Sequence, residues 1–70
     1  MKHFQGNLLA QAREAKGWKI SDLHYHLASS GVRISIQSLR NWEKGKAIPS
    51  SDYLVSLSQV LGQTMEYFFG

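Results

Sequence analysis

The sequence predicts a small all-α protein of five helices, and three observations point to this class. The chain has 70 residues, 43% of them apolar, and no cysteine, so a packed core has to stabilise it without disulfides or thiolate metal sites. Its glycines and single proline divide the chain into intervals one short helix long. Within these intervals apolar residues recur at spacings of three and four, as on one face of a helix.

Helix one is expected from Gly6 to Lys16, and helix two is expected to begin at about Ile20 and to end by Gly31. The first run is rich in good helix formers and stops before a glycine. In the second run Asp22 lies in the first turn, where a carboxylate complements the helix dipole. The spacing predicts that both helices bury one stripe, formed by Leu9, Ala12, Ile20, Leu23 and Leu27.

Residues 28–35 are expected to form an extended turn between helices two and three. Val32 and Ile34 are β-branched, but the segment is too short for a strand and nothing else in the chain offers a pairing partner. Gly31 supplies the freedom to turn, and the two β-branched residues are expected to anchor the turn on the core.

Helix three should begin after Ser35, a good N-cap residue, and end near Gly45. Leu39 and Trp42 are predicted to face the core. The outer side is predicted to be polar and to consist of Gln37, Ser38, Arg40 and Asn41.

Helices four and five complete the predicted core. Ser50 or Ser51 can cap helix four, and Gly62 ends it. Its apolar residues repeat at three and four; they are Tyr53, Leu54, Leu57, Val60 and Leu61. Thr64 is expected to cap a last helical turn that folds back through Met65, Phe68 and Phe69.

The positive charge lies in the middle third of the chain. The net charge is +3, but residues 16–46 contain six basic and two acidic residues, whereas residues 47–70 contain two acidic residues and no basic one. A polyanionic partner would therefore meet the middle of the chain.

Other function classes find little support in the sequence. No stretch approaches the roughly 20 apolar residues of a membrane span, and there is no signal-peptide pattern, so a cytoplasmic protein without a membrane partner is expected. Ser38 has no base or acid placed by a recognisable motif, so we expect neither an enzyme nor a cofactor.

Two helices joined by a turn, the second with a polar outer face and a basic end, are suited to the DNA major groove. In these elements the chain resembles the Cro/repressor-type helix-turn-helix family, also called the XRE family. The matching residues are Arg13, Lys16 and Gly17; Leu23 and Leu27; Leu39, Trp42, Glu43, Lys44, Gly45, Lys46, Pro49 and Ser50; and Leu54, Leu57, Leu61, Gly62, Met65, Glu66, Tyr67, Phe68 and Phe69. The turn before helix three is longer than is usual in the family.

The resemblance implies a compact five-helix, lambda-repressor-like domain over residues 1–70, with its helix-turn-helix at about 19–44. It implies a sequence-specific transcriptional regulator of prokaryotic or phage type, with repression as the expected role. The implied partner is double-stranded DNA with an inverted-repeat operator, bound by a homodimer in the cytoplasm of a bacterial or phage-infected cell.

The resemblance also assigns site residues. Arg13 should pair with Glu43, because a glutamate at a helix C-terminus opposes the dipole and needs a cation nearby. Base edges should be met by Ile36, Gln37, Arg40 and Asn41. Phosphates should be met by Lys19, Ser35, Ser38, Lys44 and Lys46.

Three alternatives remain open from the sequence. The same fold can serve as a protein-interaction module, such as an antitoxin or coactivator-like partner. His24 and His26 resemble half a metal site, although residues i and i+2 lie on different helix faces. The aromatic residues can form core or dimer contacts, or platforms for single-stranded nucleic acid; we expect a dimer contact at helix five, through Tyr67, Phe68 and Phe69.

Overall fold

A computed structural model describes residues 3–70 and confirms the all-α class. Four α-helices are present, and no strand occurs among the described residues. The helices are α1 (Gly6–Ala15), α2 (Ile20–Ser29), α3 (Ile36–Glu43) and α4 (Ser51–Leu61). The predicted fifth helix is a 3-10 helix over Met65–Phe69, which we call the C-terminal 3-10 helix.

One cluster of apolar side chains joins all five elements. Every member is at most 6% exposed, and no polar or charged residue is buried among the described residues. The members are Leu9, Ala12, Leu23, Leu27, Leu39, Trp42, Leu54, Leu57, Leu61 and Phe68. The apolar spacing in the sequence therefore predicted the core positions of α1 to α4, except that Ile20, Tyr53 and Val60 are only half-buried and pack against the cluster.

The caps of the helices differ in kind. The Ser35 hydroxyl accepts a hydrogen bond from the Ser38 backbone N–H at 3.1 Å, so Ser35 caps α3 as expected. The Asp22 carboxylate accepts the Lys19 backbone N–H at 2.8 Å and so stabilises the start of α2. Ser50 and Thr64 occupy N-cap positions too, but their side chains make no capping hydrogen bond, contrary to the expected capping role.

The turn between α2 and α3 is shorter than predicted at its start. Ala28 and Ser29 belong to α2, so the prediction of an extended turn from residue 28 was wrong by two residues. The helix continues because nothing breaks it before Gly31, whose φ of +87° reverses the chain. Val32 and Ile34 then pack against the core as expected, and both are half-buried.

The N-terminus of α1 lies directly against the C-terminus of α3. A methyl group on Gly6 would collide with the backbone carbonyl oxygens of Trp42 and Glu43, so only glycine allows this approach. Gly6 is accordingly buried. The contact sets where the last turn of α3 lies relative to α1.

The two ends of the described chain close on each other. The Gln5 backbone N–H donates to the Phe68 carbonyl oxygen at 2.7 Å. The Phe4 ring packs against Phe68 and Phe69, with ring centroids 6.4 and 6.2 Å apart. Phe68 itself is fully buried, which corrects the prediction that it takes part in a dimer contact, since its ring completes the core of one chain.

None of the helices within residues 3–70 has the length and apolar character needed to cross a membrane.

Candidate nucleic-acid interface

The outer face of α3 is a polar, cationic surface. Gln37, Arg40 and Lys44 are spaced by three and four residues, which places them on one side of the helix, and all three are exposed. Ile36 and Asn41 flank this line and are half-buried. Leu39 and Trp42 are buried on the opposite side, so they hold the polar face outward. We call Ile36, Gln37, Arg40 and Asn41 the reading face.

Two amides of the reading face are linked. The Gln37 Nε2 donates to the Asn41 Oδ1 at 3.1 Å, one helical turn away. This bond does not use the Gln37 Oε1, which can accept a hydrogen bond, or the Asn41 amide nitrogen, which can donate one. The pair therefore offers the donor and acceptor types that base edges present in the major groove.

Arg13 holds the C-terminal end of α3. Its Nε donates to Glu43 Oε2 at 2.8 Å and its Nη2 donates to Glu43 Oε1 at 3.0 Å, so the ion pair expected from the resemblance is present in bidentate form. The side chains of Arg13 and Glu43 are only 15% and 11% exposed. The hydrogen bonds to Glu43 raise the pKa of Arg13 above its usual value, because they favour the charged form.

Arg13 also binds the turn between α1 and α2, a contact that the sequence did not reveal. Its Nη1 donates to the Trp18 carbonyl oxygen at 2.8 Å. One guanidinium thus joins α1, the turn before α2 and the end of α3. These three segments determine how α2 and α3 are placed relative to each other.

The N-terminal end of α3 carries Ser35 and Ser38, both expected to meet phosphates. Besides accepting the Ser38 N–H, the Ser35 hydroxyl donates to the Ser38 Oγ at 3.0 Å. The two hydroxyls are therefore ordered on the helix end by the cap itself.

The expected phosphate-binding lysines are all exposed. Lys44 and Lys46 follow directly on α3, where the Lys46 backbone N–H donates to the Asn41 carbonyl oxygen at 2.8 Å and holds the chain against the helix. Lys19 precedes α2. Within residues 3–70 the ion pair of Arg13 with Glu43 is the only one, so these lysines keep their charge available to a partner.

The two histidines of α2 point to different neighbours. His26 stacks on the Trp18 ring with centroids 4.1 Å apart and planes 16° from parallel. His24 lines a shallow cleft with Ala28, Val32 and Arg33. No group of three potential metal-ligating side chains occurs in the described part of the chain, so the arrangement gives the metal-site alternative no support.

Three residues that help to hold this arrangement were missed in the sequence: Gly6, Trp18 and Phe4. Gly6 matters because it has no side chain, and Trp18 matters for its carbonyl oxygen, a group that every residue offers; no pattern in the sequence marks either contact. Phe4 lay outside the predicted helices; an aromatic residue just before helix one was the one available signal.

Comparison with known proteins agrees with this geometry. The family model described as Helix-turn-helix (HTH_3) matches residues 9–68, which is most of the chain. Neither a curated protein nor a solved structure matches the chain significantly. The matched segment contains α2 and α3, the ion pair of Arg13 with Glu43, and the buried Phe68. The chain therefore belongs to the Cro/XRE-type helix-turn-helix family of DNA-binding regulators.

Proposed function

We propose that the protein is a sequence-specific double-stranded DNA-binding transcriptional regulator of prokaryotic or phage type that acts as a repressor. In this proposal α3 lies in the major groove, the reading face contacts base edges, and Lys19, Lys44 and Lys46 contact phosphates, with the Ser35 and Ser38 hydroxyls beside them. The observation that carries the proposal is the exposed polar face of α3, whose C-terminal end is held by the bidentate ion pair of Arg13 with Glu43.

The proposal includes a homodimer on an inverted repeat. One helix of eight residues reads only a few base pairs. Each good bidentate base contact supplies about 1–3 kcal/mol of discrimination, so a single copy discriminates weakly among genomic sites. Two copies related by a twofold axis double the reading length and match a palindromic operator.

Repression follows from occupancy. A protein bound over a promoter blocks its use, and this requires only tight binding at the correct sequence. The cytoplasm of a bacterial or phage-infected cell is the compartment in which such an operator is accessible.

The first experiment is selection of bound sequences from random duplex DNA by the intact protein. We expect an enriched inverted repeat. Affinity for the selected duplex and for a scrambled duplex should then be measured over a salt series, for the wild type, Gln37→Ala and Lys44→Ala.

The two variants should separate reading from general affinity. Gln37→Ala should relax the preference at one or two base pairs per half-site and cost about 1–3 kcal/mol on the selected duplex only. Lys44→Ala should weaken both duplexes alike and flatten the salt dependence by about one unit per half-site. Equal losses on both duplexes for Gln37→Ala would remove Gln37 from the reading face.

The alternative function is a protein-interaction module on the same fold. An acidic or covered outer surface on α2 and α3 would have supported a protein partner. The α3 surface is exposed and carries Arg40 and Lys44 instead. If the intact protein bound no duplex at all, that module would become the better interpretation.

A further inference from the structure

The turn between α2 and α3 directs its side chains alternately inward and outward. From Gly31 to Ser35 the exposure alternates at every residue: Val32 and Ile34 are half-buried, whereas Gly31, Arg33 and Ser35 are exposed. This is the alternation of an extended chain lying on a core. Arg33 therefore shares its outward side with Ser35, the N-cap of α3.

The turn is held in place, so the direction of Arg33 is not arbitrary. The Val32 backbone N–H donates to the Leu27 carbonyl oxygen at 2.9 Å, and the Gly31 N–H donates to the Ala28 carbonyl oxygen at 3.0 Å. Val32 and Ile34 pack against the core on either side of Arg33. The guanidinium is thus carried by an anchored segment.

Arg33 has no acidic partner within salt-bridge distance among residues 3–70. It lines an open cleft of about 370 Å³ between the turn and the start of α4, and Asp52 lines the same cleft without pairing with it. Such an arginine retains its full charge and five donors for an external acceptor.

The position of Arg33 complements that of the lysines. With eight residues, α3 is about 12 Å long. Arg33 precedes its N-terminus, and Lys44 and Lys46 follow its C-terminus, so cations lie at both ends of the reading face. The major groove is also about 12 Å wide and is bordered by a phosphate backbone on each side.

We propose that Arg33 contacts a DNA phosphate at the N-terminal end of α3, on the opposite side of the groove from the phosphates met by Lys44 and Lys46. The inference rests on the proposed DNA-binding function and adds a residue to it. The contact would widen the footprint of the protein on the backbone and fix the register of α3 from both ends.

The test compares Arg33→Gln with Arg33→Lys and with Lys44→Gln. Affinities for the selected and the scrambled duplex are measured from roughly 50 to 200 mM salt. The melting temperature of each free variant is measured alongside. Arg33→Gln should weaken binding to both duplexes by the same factor and lower the slope of log affinity against log salt by about one unit per half-site. Its loss relative to the wild type should therefore shrink about 3.5-fold per half-site over this salt range.

The charge-conserving variant separates a phosphate contact from other roles. Arg33→Lys should keep the salt slope of the wild type, because an ammonium also neutralises a phosphate. Melting temperatures should not change, since Arg33 makes no hydrogen bond or ion pair within the described chain. A different result would be a lowered melting temperature for Arg33→Gln with an unchanged salt slope. If the double variant Arg33→Gln, Asp52→Asn then regained the wild-type melting temperature, Arg33 would have an intramolecular role with Asp52 and the inference would be wrong.

Three other results would overturn the inference about Arg33. A loss confined to particular base pairs of the selected duplex would make Arg33 a base contact and overturn the inference. Wild-type affinity and slope for Arg33→Gln, alongside a clear loss for Lys44→Gln, would refute the inference while leaving the proposed function intact. Absence of duplex binding by the wild type would overturn both.

Discussion

Arg13 shows how much one side chain contributes to the placement of α3. Its guanidinium makes three hydrogen bonds of 2.8 to 3.0 Å to two residues, Glu43 and Trp18. A bidentate bond to a carboxylate fixes an angle as well as a distance. Lysine carries the same charge but cannot bond both carboxylate oxygens and the Trp18 carbonyl in this planar geometry.

We predict that Arg13→Ala and Glu43→Ala each destabilise the fold by about 3 kcal/mol, because each leaves a largely buried charge without its partner. The double variant should lose much less than the sum, and Arg13→Lys should recover only part of the loss. Urea denaturation of the wild type and the four variants measures these free energies of unfolding. Strict additivity in the cycle would contradict a direct coupling.

The contribution of Arg13 to the free energy of unfolding should not vary with pH in the neutral range. The pKa of Arg13 is raised in the folded state, mainly by the Glu43 hydrogen bonds. A raised pKa adds stability that is fully present below the unfolded pKa and is lost only as pH rises through the folded one. Both values lie far into the alkaline range for arginine. Denaturation curves from pH 6 to 9 should therefore show the same difference between wild type and Arg13→Lys.

The element α3 is fixed at both ends by different means. At its start the Ser35 hydroxyl satisfies the Ser38 N–H, and at its end the carbonyl oxygens of Trp42 and Glu43 lie against Gly6. A helix of only two turns has little stability of its own, so its ends and its buried side chains determine its position.

We predict that Ser35→Ala costs about 1 kcal/mol of stability, because the Ser38 N–H loses its acceptor. Ser50→Ala is the matched control, since Ser50 occupies the same position before α4 without a side-chain capping bond. Its cost should be clearly smaller. Chemical denaturation of both variants gives the comparison, and equal costs would show that the Ser35 hydroxyl bond does not stabilise α3.

Gly6→Ala should destabilise the protein by about 1–3 kcal/mol, although alanine is the better helix former, because the added methyl group overlaps two backbone oxygens of α3. Asn7→Ala, at the exposed neighbouring position, should be neutral or slightly stabilising. Thermal melting of both variants distinguishes the two effects. A Gly6→Ala variant as stable as the wild type would mean that α1 and α3 can separate without cost.

The elements were predictable to different degrees, for physical reasons. Leu23 and Leu27 in α2 are spaced by four residues, and Leu39 and Trp42 in α3 by three, so their burial followed from the sequence. The pairing of Arg13 with Glu43 required knowledge of a family, because thirty residues separate the two partners. The contacts of Gly6 and of the Trp18 carbonyl were hidden, since any residue offers a carbonyl and no pattern marks a close helix approach. Each phosphate and base contact stays a prediction until DNA binding is measured.

At the scale of the whole molecule, charge and apolar surface are divided between two regions. The six basic residues of the middle third include all those proposed to meet DNA, whereas residues 47–70 contain no basic residue. Cations concentrated on one region orient the protein toward a polyanion before contact. Depletion of charge is typical of the centre of protein interfaces. We therefore expect a second copy to bind at the region formed by α4 and the C-terminal 3-10 helix.

On that surface Tyr67 and Phe69 are only half-buried, whereas Phe68 lies in the core. Phe69→Ser should weaken self-association and reduce affinity for the inverted repeat, while affinity for an isolated half-site stays at the wild-type value, since the reading face is unchanged. Tyr25→Ser is the control, because Tyr25 is 67% exposed on α2, outside the charge-depleted surface, and its loss should leave the dimer intact.

Sedimentation equilibrium of the free proteins and of their DNA complexes reports the stoichiometry. A wild-type protein that stays monomeric at high micromolar concentration, free and on DNA, would contradict the dimer. The single recognition helix would then have to obtain its specificity from one half-site and its flanking phosphates alone.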